Sequence, residues 1–170
     1  MPAKPAAFLD RDGVLNVDSG YANRPDQIAW IDGASQAVRR LNRAGYHVFV
    51  VTNQAGIARG LYEEADVVAL HQWMAGELAK AGARVDDWRY SPSHPDFPNP
   101  ALDDRKHWRK PEPGMLRDLM DGHPVEINRS FMIGDRQSDM EAAAAAGVPG
   151  FFFEAGNLDD FVAEILAQLK

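Results

Sequence analysis

The chain has 170 residues, 45% of them apolar and 25% charged, which suits one domain with a substantial core, expected over residues 1–170. A net charge of −7 argues against a nucleic-acid backbone or an anionic membrane as the main partner; a small phosphorylated ligand remains compatible, because a metal ion and a few cations can reverse the field inside a pocket. The absence of cysteine excludes disulfides and thiolate zinc sites, and no apolar stretch exceeds strand length, so a soluble, cytoplasmic protein is expected.

Residues 1–5 lack the apolar core of a signal peptide and run into Ala6-Ala7-Phe8-Leu9, too short for a helix and suited to a buried strand. The run ends in Asp10-Arg11-Asp12-Gly13. In an open α/β sheet Asp10 would lie at the carboxyl edge, where such sheets hold ligands, and Gly13 would let the chain turn away. Two acids at a strand tip can bind a cation, and one can attack an electrophile while the other moves a proton. The same residues also make an ordinary turn.

Residues 16–32 are polar and turn-rich and read as a loop or small hairpin near the acids. Gly33-Ala34 opens a helix with Ala37, Val38 and Leu41 on its apolar face, ending near Gly45. Tyr46–Val51 reads as a second buried strand, tipped by Thr52-Asn53-Gln54-Ala55. Val67, Leu70, Trp73, Met74 and Leu78 recur at helical spacing within Glu63–Ala81. Val85–Tyr90 is a weaker strand. Residues 91–113 contain six of the eleven prolines and no apolar period, the mark of a long functional or irregular loop. A helix from Pro113-Gly114, a strand Ser130–Ile133, an alanine-rich helix Ser138–Ala146, a strand Gly150–Phe153 and a helix Leu158–Leu169 complete the chain. Alternating strands and helices call for a Rossmann-like, doubly wound, mostly parallel α/β sheet. Neither gap between the polar strand tips is long enough for a separate cap domain.

Parallel strands bring their carboxyl ends to one edge. Asp10 and Asp12, Thr52 and Asn53, and Asp135 and Asp139 should therefore converge, with Lys110 at the end of the long loop. That set suits phosphoryl transfer: carboxylates for a hard cation, a lysine charge and a hydroxyl for phosphoryl oxygens, and a carboxylate nucleophile. Taken singly, Asp135 reads equally as a helix N-cap, Asp139 as a first-turn acid and Lys110 as a solvated lysine.

Asp10-Arg11-Asp12-Gly13, Val51-Thr52-Asn53, Lys110 and Gly134-Asp135-Arg136-Gln137-Ser138-Asp139 resemble, in order, the four motifs of the haloacid dehalogenase (HAD) superfamily of phosphatases. The resemblance implies Mg²⁺-dependent phosphoester hydrolysis through an aspartyl-phosphate. Asp10 would be the nucleophile and Asp12 the proton donor and later the base. Asp10, the main-chain carbonyl of Asp12, and Asp135 would hold Mg²⁺, with Asp139 behind them.

Longer stretches, among them Val51–Gly60 and Arg109–Met115, are similar to the branch of heptose 1,7-bisphosphate 7-phosphatases and its histidinol-phosphate phosphatase relatives. That similarity places Asp18, Ser19, Gly20, Tyr21, Asn53, Gln54, Ala55, Arg109 and Arg136 around a small phosphorylated sugar, with the 7-phosphate of the heptose bisphosphate as the target. Histidinol phosphate or another small phosphomonoester is the alternative substrate. A receiver-like phospho-acceptor is the alternative of another class, disfavoured by the intact Asp12, Thr52 and Lys110. Both related families usually carry a Cys-x-His…Cys-x-Cys zinc site in the long loop. Here Ser91, Ser93, Lys106 and Trp108 stand at the matching positions, and only His94 and His107 with Asp96 or Asp103 could rebuild one. No structural zinc is expected, with the prolines stiffening the loop and Trp108 anchoring it. His47, His71 and His123 have no evident chemical partner and are read as structural or surface residues. A monomer is expected.

Overall fold

The computed structural model describes residues 2–169; Met1 and Lys170, the ends of the expected domain, lie outside the described residues. Five strands, β1 (Ala6–Leu9), β2 (His47–Asn53), β3 (Asp87–Ser91), β4 (Phe131–Gly134) and β5 (Gly150–Phe152), form one sheet in the order β3-β2-β1-β4-β5. Every pairing is parallel. The connecting helices are α1 (Ala34–Arg43), α2 (Glu64–Lys80), α3 (Gly114–Gly122), α4 (Gln137–Ala146) and α5 (Leu158–Gln168). None is long and apolar enough to cross a membrane.

The strand period of two divides the core. Ala7, Leu9, Val48, Val50, Phe131 and Ile133 pack on the side of α1 and α5, joined by Leu78 of α2. Ala6, Phe8, Phe49, Val51 and Met132 pack against Met115, Leu116 and Leu119 of α3 and Ala142 and Ala143 of α4. Burial on both faces is why the central strands read as unbroken apolar runs.

Leu9 at the end of β1 lies beside Val50 of β2 and Ile133 of β4. The chain moves outward from β1 to β2 and β3, then returns to the other side of β1 as β4. β1 is therefore the topological switch point, and its carboxyl end opens a crevice between diverging connections.

Element ends differ from the sequence reading where a side chain takes over a ladder position. β3 begins at Asp87 because Asp86 engages Val48 first: its N–H donates to the Val48 carbonyl at 2.7 Å and its carboxylate accepts the Val48 N–H at 2.8 Å. β4 begins at Phe131 because the Ser130 hydroxyl, not its main chain, accepts the Ala6 N–H at 2.8 Å. Glu63 caps α2 rather than belonging to it, its N–H bonded to the Asp66 carboxylate at 2.8 Å.

The long loop is more regular than its sequence indicates. Asp103–Trp108 forms a 3₁₀ segment, and Leu102 is buried beneath it. The Arg59 guanidinium lies 4.7 Å from the Phe97 ring and 5.5 Å from the Tyr21 ring, joining this loop to the segment after Asp12. Arg105 pairs with Glu64 of α2 at 2.8 Å, and the Tyr90 hydroxyl donates to the same carboxylate at 2.8 Å. Trp108 packs against the core cluster of Phe8 and Met115. Aromatic and ionic contacts thus order the stretch between Ser91 and Arg109.

Candidate active site

Asp10 follows directly on β1, and its N–H donates to the Ile133 carbonyl at 3.0 Å, so the carboxylate is held at the sheet edge. The chain then reverses. Gly13 has φ +90°, and its N–H donates to Asn16 O at 2.7 Å. A Cβ on Gly13 would run into the Asp135 carboxylate, so glycine is required both for the turn and for the approach of β4's acid to β1's.

Lys110 is brought in from the long loop. Asn53, at the end of β2, makes two hydrogen bonds with its main chain: Asn53 Nδ2 donates to Lys110 O at 3.1 Å, and Lys110 N donates to Asn53 Oδ1 at 3.0 Å. The buried Lys110 Nζ then lies 2.9 Å from Asp10 Oδ1 and 2.7 Å from Asp139 Oδ1, and donates to Val51 O at 2.9 Å. Thr52 is buried beside it, its hydroxyl accepting from Gln54 Nε2 at 2.9 Å.

Asp135 and Asp139 come from the tip of β4 and the first turn of α4. Asp139 Oδ2 accepts the N–H groups of Asp135 and Arg136, each at 3.1 Å, so Arg136 rather than Asp135 stands at the N-cap. With its other oxygen on Lys110, Asp139 is fully engaged by the protein. Ligand atoms of Asp10, Asp135 and Asp139 lie within 4.8 Å of one another, the only such group of three or more potential ligands among the described residues. Asp135 Oδ1 is buried and has no hydrogen-bond partner among those residues. An all-oxygen cluster in which Asp135 Oδ1 is buried and unbonded, and Asp139 Oδ1 has only its ion pair with Lys110, fits a hard divalent cation. Asp10 and Asp135 are the side chains free to ligate it. The Asp12 carboxylate turns away to Arg11, Asn16 and Gln54.

Burial pushes the Asp10 carboxyl well above its ordinary pKa, opposed by Lys110 and reinforced by Asp139. Burial alone would lower the lysine, but Asp10 and Asp139 outweigh it and raise Lys110 above its ordinary value. Asp135 is also raised, chiefly by burial. Lys110 opposes this rise at Asp10, and Arg136 opposes it at Asp135.

Asp10, Lys110 and Asp139 form the floor of a cavity of about 760 Å³, which Asp135 itself does not line. Asp10, Asp12, Thr52, Asn53, Gln54, Ala55, Arg109, Lys110, Arg136 and Asp139 line it, with Asp18, Gly20 and Tyr21 from the segment after Asp12; Ser19 lies between them and does not. Asp18 Oδ1 accepts the Gly20 N–H at 3.1 Å, and Asp18 Oδ2 accepts from Arg136 Nη2 at 3.1 Å, which ties this flap to the tip of β4. Tyr21 holds a left-handed φ of 51° at the rim, a conformation costing about 1 kcal/mol in a non-glycine residue. Arg109 donates to Ser93 O at 3.4 Å and has no carboxylate partner among the described residues; burial, then the charge of Arg136, lowers its pKa. Tyr62, His94, Pro111 and Ser138 also line the cavity. They follow no spacing or charge pattern that a sequence reading could use.

The HAD-hydrolase-like family model matches residues 107–164. The chain is 49% identical over 169 residues to a D-glycero-beta-D-manno-heptose-1,7-bisphosphate 7-phosphatase of Rhodopseudomonas palustris, covering 99% of this chain and 94% of the relative. It is 40% identical to the enzyme of that name from Escherichia coli K12, covering 97% and 91%. Among solved structures, a putative HAD-like phosphatase from Mesorhizobium loti superposes with a TM-score of 0.87 at 32% identity, covering 99% of this chain and 87% of that one. The D,D-heptose 1,7-bisphosphate phosphatase of B. bronchiseptica, complexed with magnesium and phosphate, superposes with a TM-score of 0.79 at 36% identity, covering 96% and 86%.

Proposed function

Because the chain belongs to the D-glycero-beta-D-manno-heptose-1,7-bisphosphate 7-phosphatase family of HAD-like hydrolases and is a phosphoric monoester hydrolase, we propose that it removes the 7-phosphate of that heptose bisphosphate with Mg²⁺ and through an aspartyl-phosphate on Asp10. The observation that carries this reading is the meeting of Asp10, Lys110 and Asp139 on the floor of one cavity, with Asp135 clustered against Asp10 and Asp139.

Asp10, the Asp12 main-chain carbonyl and Asp135 would hold Mg²⁺, which when bound supplies positive charge that offsets repulsion between carboxylate and phosphoryl oxygens. Asp10 attacks phosphorus, and the bond to the sugar oxygen breaks as the bond to the carboxylate forms. Asp12 gives its proton to the departing alkoxide. The resulting Asp12 carboxylate then takes a proton from water, which attacks the phosphorus and returns Asp10 as a free carboxylate. Lys110 and the Thr52 hydroxyl stabilise the equatorial phosphoryl oxygens. Asp139 keeps Lys110 in place.

The second phosphate of a bisphosphate needs its own cation. Arg109, half-buried in the cavity wall and without an acidic partner among the described residues, supports that assignment, with Arg136 beside it. Asp18–Tyr21 would close over the sugar. The test is Mg²⁺-dependent phosphate release from a panel of D-glycero-D-manno-heptose 1,7-bisphosphate (both anomers), histidinol phosphate and fructose 1,6-bisphosphate. Preference for a heptose bisphosphate is expected; preference for histidinol phosphate would overturn the substrate assignment.

A further inference from the structure

Arg11 stands between the two acids of the β1 tip, yet its side chain is completely buried. A buried guanidinium is tolerated only when its N–H groups find acceptors. Nε donates to Asp12 Oδ1 at 3.0 Å and Nη2 to Asp12 Oδ2 at 3.1 Å, a two-point grip on one carboxylate. Nη2 also donates to the Ala22 carbonyl in the flap at 2.9 Å. Nη1 lies 3.2 Å from His71 Nε2, on the second turn of α2. A guanidinium has no lone pair to offer, so His71 Nε2 is the acceptor and the ring proton sits on Nδ1. His71 is itself buried, stacked 4.6 Å from the Trp88 ring of β3. Burial and then Arg11 push its pKa down to about 3, which keeps it neutral.

The remaining capacity of Asp12 is met by amides. Asn16 Nδ2 donates to Oδ1 at 2.9 Å, and Gln54 Nε2 to Oδ2 at 3.2 Å. No charge reaches Asp12 from these, and neither fixes the plane of the carboxylate alone. Arg11 does, because two parallel bonds set both torsions of a short side chain at once.

We infer that Arg11 is a positioning residue for phosphoryl transfer, fixing the plane and place of the Asp12 carboxylate in the cavity wall, and that His71 is the neutral acceptor that orients the guanidinium. This rests on the proposed role of Asp12 as the group that moves the proton. Lysine cannot replace arginine here, since a single ammonium cannot span both oxygens, His71 and Ala22 O together. The inference also accounts for a buried histidine with no place in the reaction.

The experiment uses leaving-group dependence, which a merely structural role does not alter. A sugar phosphate releases a poor alkoxide leaving group that needs the proton, whereas p-nitrophenyl phosphate releases a stable phenolate that needs it far less. kcat/KM with Mg²⁺ is measured for heptose 1,7-bisphosphate and p-nitrophenyl phosphate in the wild type, Asp12→Asn, Arg11→Lys, His71→Leu and His71→Gln, each checked for folding by circular dichroism. Asp12→Asn and Arg11→Lys should lose at least about tenfold more activity on the sugar phosphate than on the aryl phosphate. His71→Leu should discriminate in the same direction, and His71→Gln, which keeps an acceptor, should recover part of the loss. Equal losses on both substrates in the Arg11 and His71 variants, with discrimination intact in Asp12→Asn, would overturn the inference alone. No discrimination in Asp12→Asn would instead overturn the role of Asp12 and the inference with it. If Arg11→Lys does not fold, the His71 pair decides.

Discussion

Replacing His71 by glutamine tests the buried network through stability. The ring is held neutral in the folded protein, with its pKa pushed from 6.5 down to about 3, chiefly by burial and secondly by Arg11. In the unfolded chain it titrates near 6.5. Between these two values the unfolded state binds a proton that the folded state does not. The contribution is therefore fully favourable above the unfolded pKa and is lost as pH falls below 6.5 toward 3. Integrating from about pH 7 to about pH 5, the unfolded state gains roughly 2 kcal/mol from this one ring. Glutamine offers Arg11 an amide oxygen and does not titrate. It also loses the stacking on Trp88, but that cost is the same at both pH values and cancels in the difference. Urea unfolding of wild type and His71→Gln at the two pH values, at one ionic strength, isolates the effect, because every other titrating group is common to both proteins. The variant should lose about 2 kcal/mol less than the wild type on acidification. An identical loss in the two proteins would refute a neutral, buried His71.

Lys110→Met should leave Asp10 and Asp139 facing each other without a cation and lower phosphate release by about 10²-fold or more, read in a steady-state assay at saturating Mg²⁺; a variant within threefold of wild type would remove Lys110 from the chemistry. Arg109→Leu should raise KM about tenfold for heptose 1,7-bisphosphate while leaving KM for p-nitrophenyl phosphate nearly unchanged, because only the former carries a second phosphate. Arg59→Leu should release Phe97 of the long loop from the Tyr21 segment, a contact worth about 1–2 kcal/mol, and speed amide exchange across residues 91–109. Unchanged exchange there would mean that the Glu64–Arg105 pair and Trp108 hold the loop without it.

The parts of the site that were legible in sequence share one property: they end apolar runs. Leu9 to Asp10, Val51 to Thr52 and Ile133 to Asp135 each pass from a strand buried on both faces to polar groups, so the edge of the sheet could be located before any contact was known. Arg11 was not legible. A charged residue in a polar turn reads as solvated, and its burial depends on His71, 60 residues away, and on Ala22 in the flap. Tyr62 was hidden for the same reason: its hydroxyl donates to Gln54 Oε1 at 2.6 Å, a contact no periodicity signals. The 3₁₀ segment at Asp103–Trp108 lay in a proline-rich stretch without apolar spacing, and its Arg105 is held by Glu64 in an earlier segment. The expectation that Trp108 anchors the loop by packing holds, because an aromatic residue beside α3 has a core to join. The reading of His71 as structural holds, and its partner Arg11 is the part that sequence did not reveal.

The covalent step on Asp10 is tested most directly by trapping it. Asp12→Asn retains the nucleophile but removes the group that activates water, so incubation with heptose 1,7-bisphosphate and Mg²⁺ should leave a phosphorylated enzyme. Mass spectrometry of the rapidly quenched, digested protein should place the phosphate on the peptide containing Asp10, and Asp10→Asn should neither acquire phosphate nor turn over. Phosphate release by Asp10→Asn at a rate near that of the wild type, or phosphate trapped on another residue, would contradict the assignment of Asp10 as the nucleophile.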